Sequence, residues 1–382
     1  MTRTLVLGAG FGGIAVATGL RERLGEGHEV VLVDRAEHFS MGLRKLWELV
    51  GIGTVAEGRR SRSVLDGAGV SFVQAEITGI DPAARAATTD AGRFDADHLV
   101  VALGARSRPD LVPGLVGRGH DVWDVAGVPA LRDAVAAFEG GTIAIVIMGA
   151  PYPCPPAPYE CAMLLDEHLR ERGLRERTEL AVATLQPMLM PNAGRAGSEW
   201  LGVRLDDRGI AHRTGAATER VEPGRVLFAD GSELAFDLLI AVPPHRVPDV
   251  VAAGGLTGES GWIEVDRGTL RTEHDGVFAV GDCTLIRLAN GLPLPKAGVI
   301  AELEGSRVAA AIAADLTGAP QPDVFDGHGF CFLELGAHAA ALVDGDFYAE
   351  PEPSVQLSDP APEHHEAKRR FEAERLDAWF GS

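Results

Sequence analysis

The chain has 382 residues, 46% of them apolar and 24% charged, with a mean hydropathy of +0.06; that length holds two or three domains with cores of their own. Its 35 basic and 55 acidic residues leave a net charge of −20 and a pI near 5.0, which argues against a nucleic-acid partner and against adsorption to an anionic membrane surface. No apolar run reaches membrane-spanning length.

The first strand begins at Thr4, which leaves no room for a signal peptide, so a reducing cytoplasmic setting is expected. In that setting the four cysteines read as catalytic or simply buried, rather than as structural disulfides. Thr4 to Leu7 runs into Gly8-Ala-Gly10-Phe11-Gly12-Gly13, a helical pattern follows, and a second strand from Glu29 closes on Asp34: a βαβ unit. Ala84 to Thr89 and Arg93 to Asp97 predict a hairpin, and a buried strand from Leu99 ends at Gly104. From about 125 to 250 the plan repeats. A helix is predicted near Pro129 to Phe138, a strand over Thr142 to Met148, a helix over Glu160 to Arg170 and a strand over Glu179 to Thr184. A hairpin turns at Asp230-Gly231, before a strand over Leu238 to Val242. Thr269 to Gly281 returns to the first domain, Ala301 to Leu316 is an Ala-rich helix, and Pro320-Gln321-Pro322 marks a linker. The predicted class is α/β, with two Rossmann-like dinucleotide-binding domains, one inserted in the other, and a strand-rich C-terminal module ending in a helix. The boundaries are 1–120 with 255–320, then 121–254, then 321–382.

Gly8, Gly10 and Gly13 follow a strand and open a helix, with Asp34 about twenty residues on, the dinucleotide pattern in its proper context. Gly276 to Asp282 is a short buried strand ending in a carboxylate. An ordinary helix N-cap would also use Asp, but beside the first fingerprint and Leu103-Gly104 it reads as the ribityl contact of FAD. Lys296, in Pro295-Lys296-Ala297-Gly298, is either a solvated surface lysine or a cation at the flavin N1/O2 edge, where it would stabilise the reduced ring.

The strand ending at Met148 runs into Gly149-Ala-Pro-Tyr-Pro-Cys154-Pro-Pro-Ala-Pro-Tyr-Glu160, where a second dinucleotide turn would be expected. A nicotinamide site there needs glycines, yet five prolines and a cysteine occupy it; prolines remove N–H donors and hold the chain rigidly. Cys331 lies in an apolar strand, where a lone cysteine is most often a small buried hydrophobe. Should the C-terminal module fold back over the inserted domain, Cys154 and Cys331 could meet, one taking up a sulfur nucleophile and the other addressing flavin C4a, with a lowered thiol pKa required. Cys161 and Cys283 read as small residues at helix starts. The chain lacks the CxxxxC and CxxC spacings of other disulfide reductases and any zinc spacing, so a metal site is not expected. The final helix carries Phe371, Leu376, Trp379 and Phe380 on one stripe, for docking onto the core or a dimer mate, or as a cap or weak membrane-surface foot.

These motifs together resemble the sulfide:quinone oxidoreductase and flavocytochrome c sulfide dehydrogenase flavoprotein family. The likeness rests on the Gly8–Gly13 loop, Cys154-Pro-Pro-x-Pro-Tyr-Glu160, Gly261-Trp262-Ile-Glu-Val-Asp266, Val280-Gly281-Asp282, Pro295-Lys296-x-Gly298 and Gly329-x-Cys331-x-x-Glu334-x-Gly336. The resemblance implies non-covalent FAD, since no cysteine lies near Met41 where some relatives attach it. It also implies a Cys154/Cys331 redox pair, bridged by a disulfide or polysulfide when oxidised, with Lys296 assisting. The FAD contacts expected on this reading are Gly8, Gly10, Phe11, Gly12, Gly13, Asp34, Arg35, Lys45, Ile77, Gly104, Gly281, Asp282 and Lys296. The implied partners are a small sulfur donor, a quinone or other acceptor, a second copy of the chain, and at most a weak peripheral membrane contact. The third cysteine of some quinone-linked members is missing, and Trp123 lies in that region. Two alternatives are a type II NADH:quinone reductase-like flavoenzyme and a non-catalytic flavin redox sensor.

Overall fold

In the computed structural model, which describes residues 2–336 and 338–381, two parallel five-stranded sheets carry the chain. Each is built from near-continuous apolar runs, as strands buried on both faces must be. The first sheet has the order Val277–Ala279, His98–Val101, Thr2–Leu7, His28–Asp34, Ser71–Gln74. The second has the order His120–Asp121, Leu238–Val242, Gly141–Ile147, Thr178–Thr184, Ala211–Arg213. After the second sheet's last strand in sequence, Leu238–Val242, the chain rejoins the first sheet at Val277–Ala279, as an inserted Rossmann-like unit requires. The hairpin read at 84–97 has a third strand, Ile77–Asp81, paired to Ala86–Thr89.

The helices Phe11–Leu24 and Gly298–Thr317 pack together on the first sheet. Their small residues explain the Ala-rich composition: a Cβ on Gly305 would stand 2.4 Å from the Gly12 carbonyl oxygen, so the backbones approach as only glycine allows. The helix after the proline-rich turn spans Ala157–Glu171, three residues earlier than expected, because Pro158 in a first turn costs no hydrogen bond.

The C-terminal module is an antiparallel sheet of His328–Glu334, Ala340–Asp346 and Ser354–Leu357, followed by a helix over Pro362–Phe380. Its first strand packs into the same core as the inserted sheet through Leu333, joined by Leu335 just past the strand's end. The final helix lays Leu376, Trp379 and Phe380 into the core of the first sheet, where Trp379 meets Phe11 and Phe39 edge-on at 5.2 and 5.7 Å. The apolar stripe therefore docks on this chain itself and is not exposed as a membrane foot. Among the described residues no helix is long and apolar enough to cross a membrane.

Candidate active site

The dinucleotide loop is shaped by what cannot fit in it. A Cβ on Gly8, at φ +99°, would come within 2.3 Å of the Ala102 carbonyl oxygen, and one on Gly13 within 1.8 Å of the Gly8 oxygen. Gly10, in contrast, faces open space, with nothing within 4 Å of its Cβ position. Asp34 ends the second strand and accepts from the amides of Ala9 and Ala36, both at 2.8 Å. Arg62 locks the loop from below. Its buried guanidinium donates to the carbonyls of Ala9, Ala36 and His38 at 2.9, 2.7 and 2.7 Å. A tight glycine turn, an open face at Gly10 and a carboxylate at the strand end fit the pyrophosphate and ribose of a dinucleotide.

The other expected contacts lie along the carboxyl ends of the first sheet's strands or beside them. Gly104, at φ +64°, has open space around it. The Gly281 amide donates to Glu304 at 2.5 Å, and burial raises the Asp282 carboxyl. Lys296 is 5% exposed. Its ammonium donates to the carbonyls of Asp282 and Thr284 at 2.8 and 2.7 Å and sits 3.9 Å from the Trp262 ring. Lys45 donates to the Trp123 carbonyl at 3.1 Å. Burial lowers both lysines, while the charge of Asp282 acts to raise them. Arg35 is exposed, 3.9 Å from Glu76. Ile77 and Phe11 turn their side chains into packing, so only their backbones remain for a cofactor.

The proline-rich turn brings Cys154 to this second cluster. Cys154 has φ +56°, a left-handed conformation that costs a non-glycine residue about 1–3 kcal/mol. Its amide donates to the Lys296 carbonyl at 2.6 Å, and Pro153 bridges the same residue, so the strain is held by the lysine-bearing segment. Cys331, from the C-terminal sheet, meets it. Cys331, together with burial, holds the Cys154 thiol well above its ordinary range, and Cys154 in turn lowers Cys331. Both line an apolar cavity of 40 Å³ with Pro155, Phe330, Val343 and Phe347. Cys161 and Cys283 are fully buried, their thiols raised by burial. On the other side of the turn is a larger cavity of 330 Å³, lined by Pro151, Tyr152, Leu185, Asn192, Pro293 and Lys296.

Behind the thiols lies a buried ionic network. The Lys368 ammonium on the final helix donates to Glu160 and stands 3.5 Å from Glu334. Glu334 also accepts from the Trp47 indole at 2.9 Å and pairs with His365 at 3.0 Å. Burial pushes Glu160 up to about 8. Burial would also raise Glu334, but Lys368 and the hydrogen bonds from His365 and Trp47 bring it down to about 2. Arg62, Glu304, Trp47, His365 and Lys368 carry no motif, and the last two fall outside the apolar stripe of Phe371, Leu376, Trp379 and Phe380 read in the final helix.

The family model for pyridine nucleotide-disulphide oxidoreductases matches residues 2–301. The mitochondrial sulfide:quinone oxidoreductase of Mus musculus is 23% identical over 365 residues, covering 91% of this chain and 78% of that one. The type II NADH:quinone oxidoreductase of Staphylococcus saprophyticus is 25% identical, covering 88% of each. The crystal structure of the sulfide:quinone oxidoreductase of Aquifex aeolicus superposes with a TM-score of 0.90 at 22% identity, over all of this chain and 92% of that one. With the glycine cradle and the fold in agreement, the chain belongs to the pyridine nucleotide-disulphide oxidoreductase family and is an FAD-dependent oxidoreductase similar to the sulfide:quinone oxidoreductases.

Proposed function

We propose that the chain oxidises sulfide through the Cys154/Cys331 pair and passes the electrons through FAD to a quinone. The observation that carries this reading is the meeting of the two cysteines at one cavity. A strained cysteine on a proline-rich turn and a cysteine from a separate module line the same apolar cavity, beside the segment that carries the buried Lys296. The apolar cavity the two thiols share has a volume of 40 Å³, which accommodates a small sulfur donor such as sulfide.

Bound in the cradle, FAD would supply a two-electron acceptor. Of the two thiols, Cys154 is the one whose charge Lys45 feels and whose backbone is tied to Lys296, so it faces the cofactor side. Hydrosulfide attacks Cys331 in the oxidised pair; its new S–S bond breaks the Cys154–Cys331 bond, leaving a persulfide on Cys331 and a thiolate on Cys154. The persulfide, a stronger acid than a thiol, loses its proton to solvent and stands as the anion on Cys331. Closure of the persulfide sulfur onto Cys154 forms a trisulfide and releases two electrons to the acceptor. The balance is hydrosulfide plus disulfide giving trisulfide, one proton and two electrons. Lys296, oriented by two carbonyls and the Trp262 ring, supplies positive charge where electrons accumulate.

The test is mass analysis of the oxidised, FAD-loaded protein after one equivalent of sulfide under anaerobic conditions. One added sulfur atom across the peptides of Cys154 and Cys331 is expected. Sulfur found elsewhere, or none, overturns the reading.

The similarity to type II NADH:quinone reductases favours NADH as a rival donor. Against it, a Cβ on Gly149 would stand 2.4 Å from Pro244, and Pro155, Pro156 and Pro158 leave the helix start short of N–H groups for a phosphate.

A further inference from the structure

The final helix lies beyond the stretch that the family model matches, which ends at residue 301. It nevertheless reaches the sulfur site. Of its buried face, Phe371, Leu376, Trp379 and Phe380 are apolar, but His365, Lys368 and Glu372 are buried with them. A buried lysine is costly unless it is paired, and this one is aimed between two carboxylates from two other elements. Glu160 comes from the helix that follows the Cys154 turn, and Glu334 from the strand that carries Cys331. Each carboxylate thus sits on an element bearing one of the two thiols, and Lys368 ties them together.

We propose that Lys368 is a positioning residue for the sulfur chemistry: its ammonium fixes Glu160 beside the thiol pair and supplies the positive charge that stabilises anionic sulfur on Cys331, as the thiolate of the reduced pair or as the persulfide of the reaction. Glu334, held by Trp47 and His365, keeps the ammonium in place. The inference rests on the function proposed above. The charged groups facing Lys368 are Glu160, Glu334, His365 and the two thiols. Beyond them, Arg369 lies 6.0 Å from the centre of the Trp47 ring, and Arg44 is paired with Glu372 and Glu57. The charge of Lys368 lowers both thiols, whereas that of Glu160 raises Cys331. Removing one or the other must therefore move Cys331 in opposite directions, which general loosening of the core would not do.

The experiment reads the pH midpoint of iodoacetamide alkylation at Cys331 in the reduced, FAD-loaded protein, located by peptide mass. Lys368→Met should raise the midpoint, slowing alkylation at pH 7 about tenfold for each pH unit moved. Glu160→Gln should lower it, and Lys368→Arg should restore it. Should Lys368→Met fail to fold, the double variant with Glu160→Gln, which removes both members of the buried pair, is compared with Glu160→Gln alone; its midpoint should be the higher. Midpoints that stay put, or shift the same way in both single variants, overturn the proposal. A midpoint shift as expected, with no sulfur captured between the cysteines, would instead leave this inference standing and remove the sulfide reading beneath it.

Discussion

Glu160 makes the stability of this protein depend on pH in a direction opposite to that of an ordinary surface carboxylate. Its side chain is 3% exposed, and burial raises it from 4.5 to about 8. Between those values the folded chain holds a proton that the unfolded chain has lost, so folding stability falls as pH rises through the window. From pH 5 to pH 7 the change is two units at 1.36 kcal/mol each, about 3 kcal/mol for a group so buried. Glu304, raised to about 7, adds in the same direction, and His245, lowered to about 4, opposes between 4 and 6.5. The difference between wild type and Glu160→Gln isolates the first group. Urea denaturation at pH 5 and pH 7, with FAD in constant excess, should show wild type losing about 3 kcal/mol more than Glu160→Gln between the two conditions. An equal pH dependence in the two proteins would refute the reasoning.

Glutamate 334 behaves in the opposite sense. Held at about 2, it contributes stability above pH 4.5 that is lost as pH falls towards 2, and Glu334→Gln should flatten that acid limb in a thermal melt series. Gly13→Ala should leave the apoprotein unable to retain FAD on gel filtration, because its Cβ would fall 1.8 Å from the Gly8 oxygen. NADH should fail to bleach bound FAD under anaerobic conditions at any rate comparable to sulfide, since the Pro151 to Pro158 turn lacks the glycines that a nicotinamide dinucleotide needs.

The tight glycine turn and the carboxylates at the strand ends were legible in the sequence because their geometry is local. Gly8 to Gly13, Asp34 and Gly281-Asp282 lie at strand ends, where backbone geometry restricts the residue type, and the apolar runs before them fix the register of the parallel sheets. The prolines around Cys154 were legible for the same reason, since they restrict one short turn. Cys331 was harder, because one cysteine in an apolar strand looks like a space-filling residue until the C-terminal sheet is folded against the inserted one. The Lys368 network escaped altogether. Its members come from four elements, and its lysine and histidine occupy the buried face of a helix that periodicity reads as polar there. Arg62 escaped too, since an arginine that binds three carbonyls leaves no spacing to find.

The central claim is that both cysteines stand between sulfide and the flavin, and it is tested most directly by anaerobic sulfide titration of the FAD-loaded protein while following the visible flavin absorbance. Wild type should bleach, and Cys154→Ser and Cys331→Ser, each retaining FAD, should lose rapid bleaching. Either serine variant bleaching at the wild-type rate would contradict the claim.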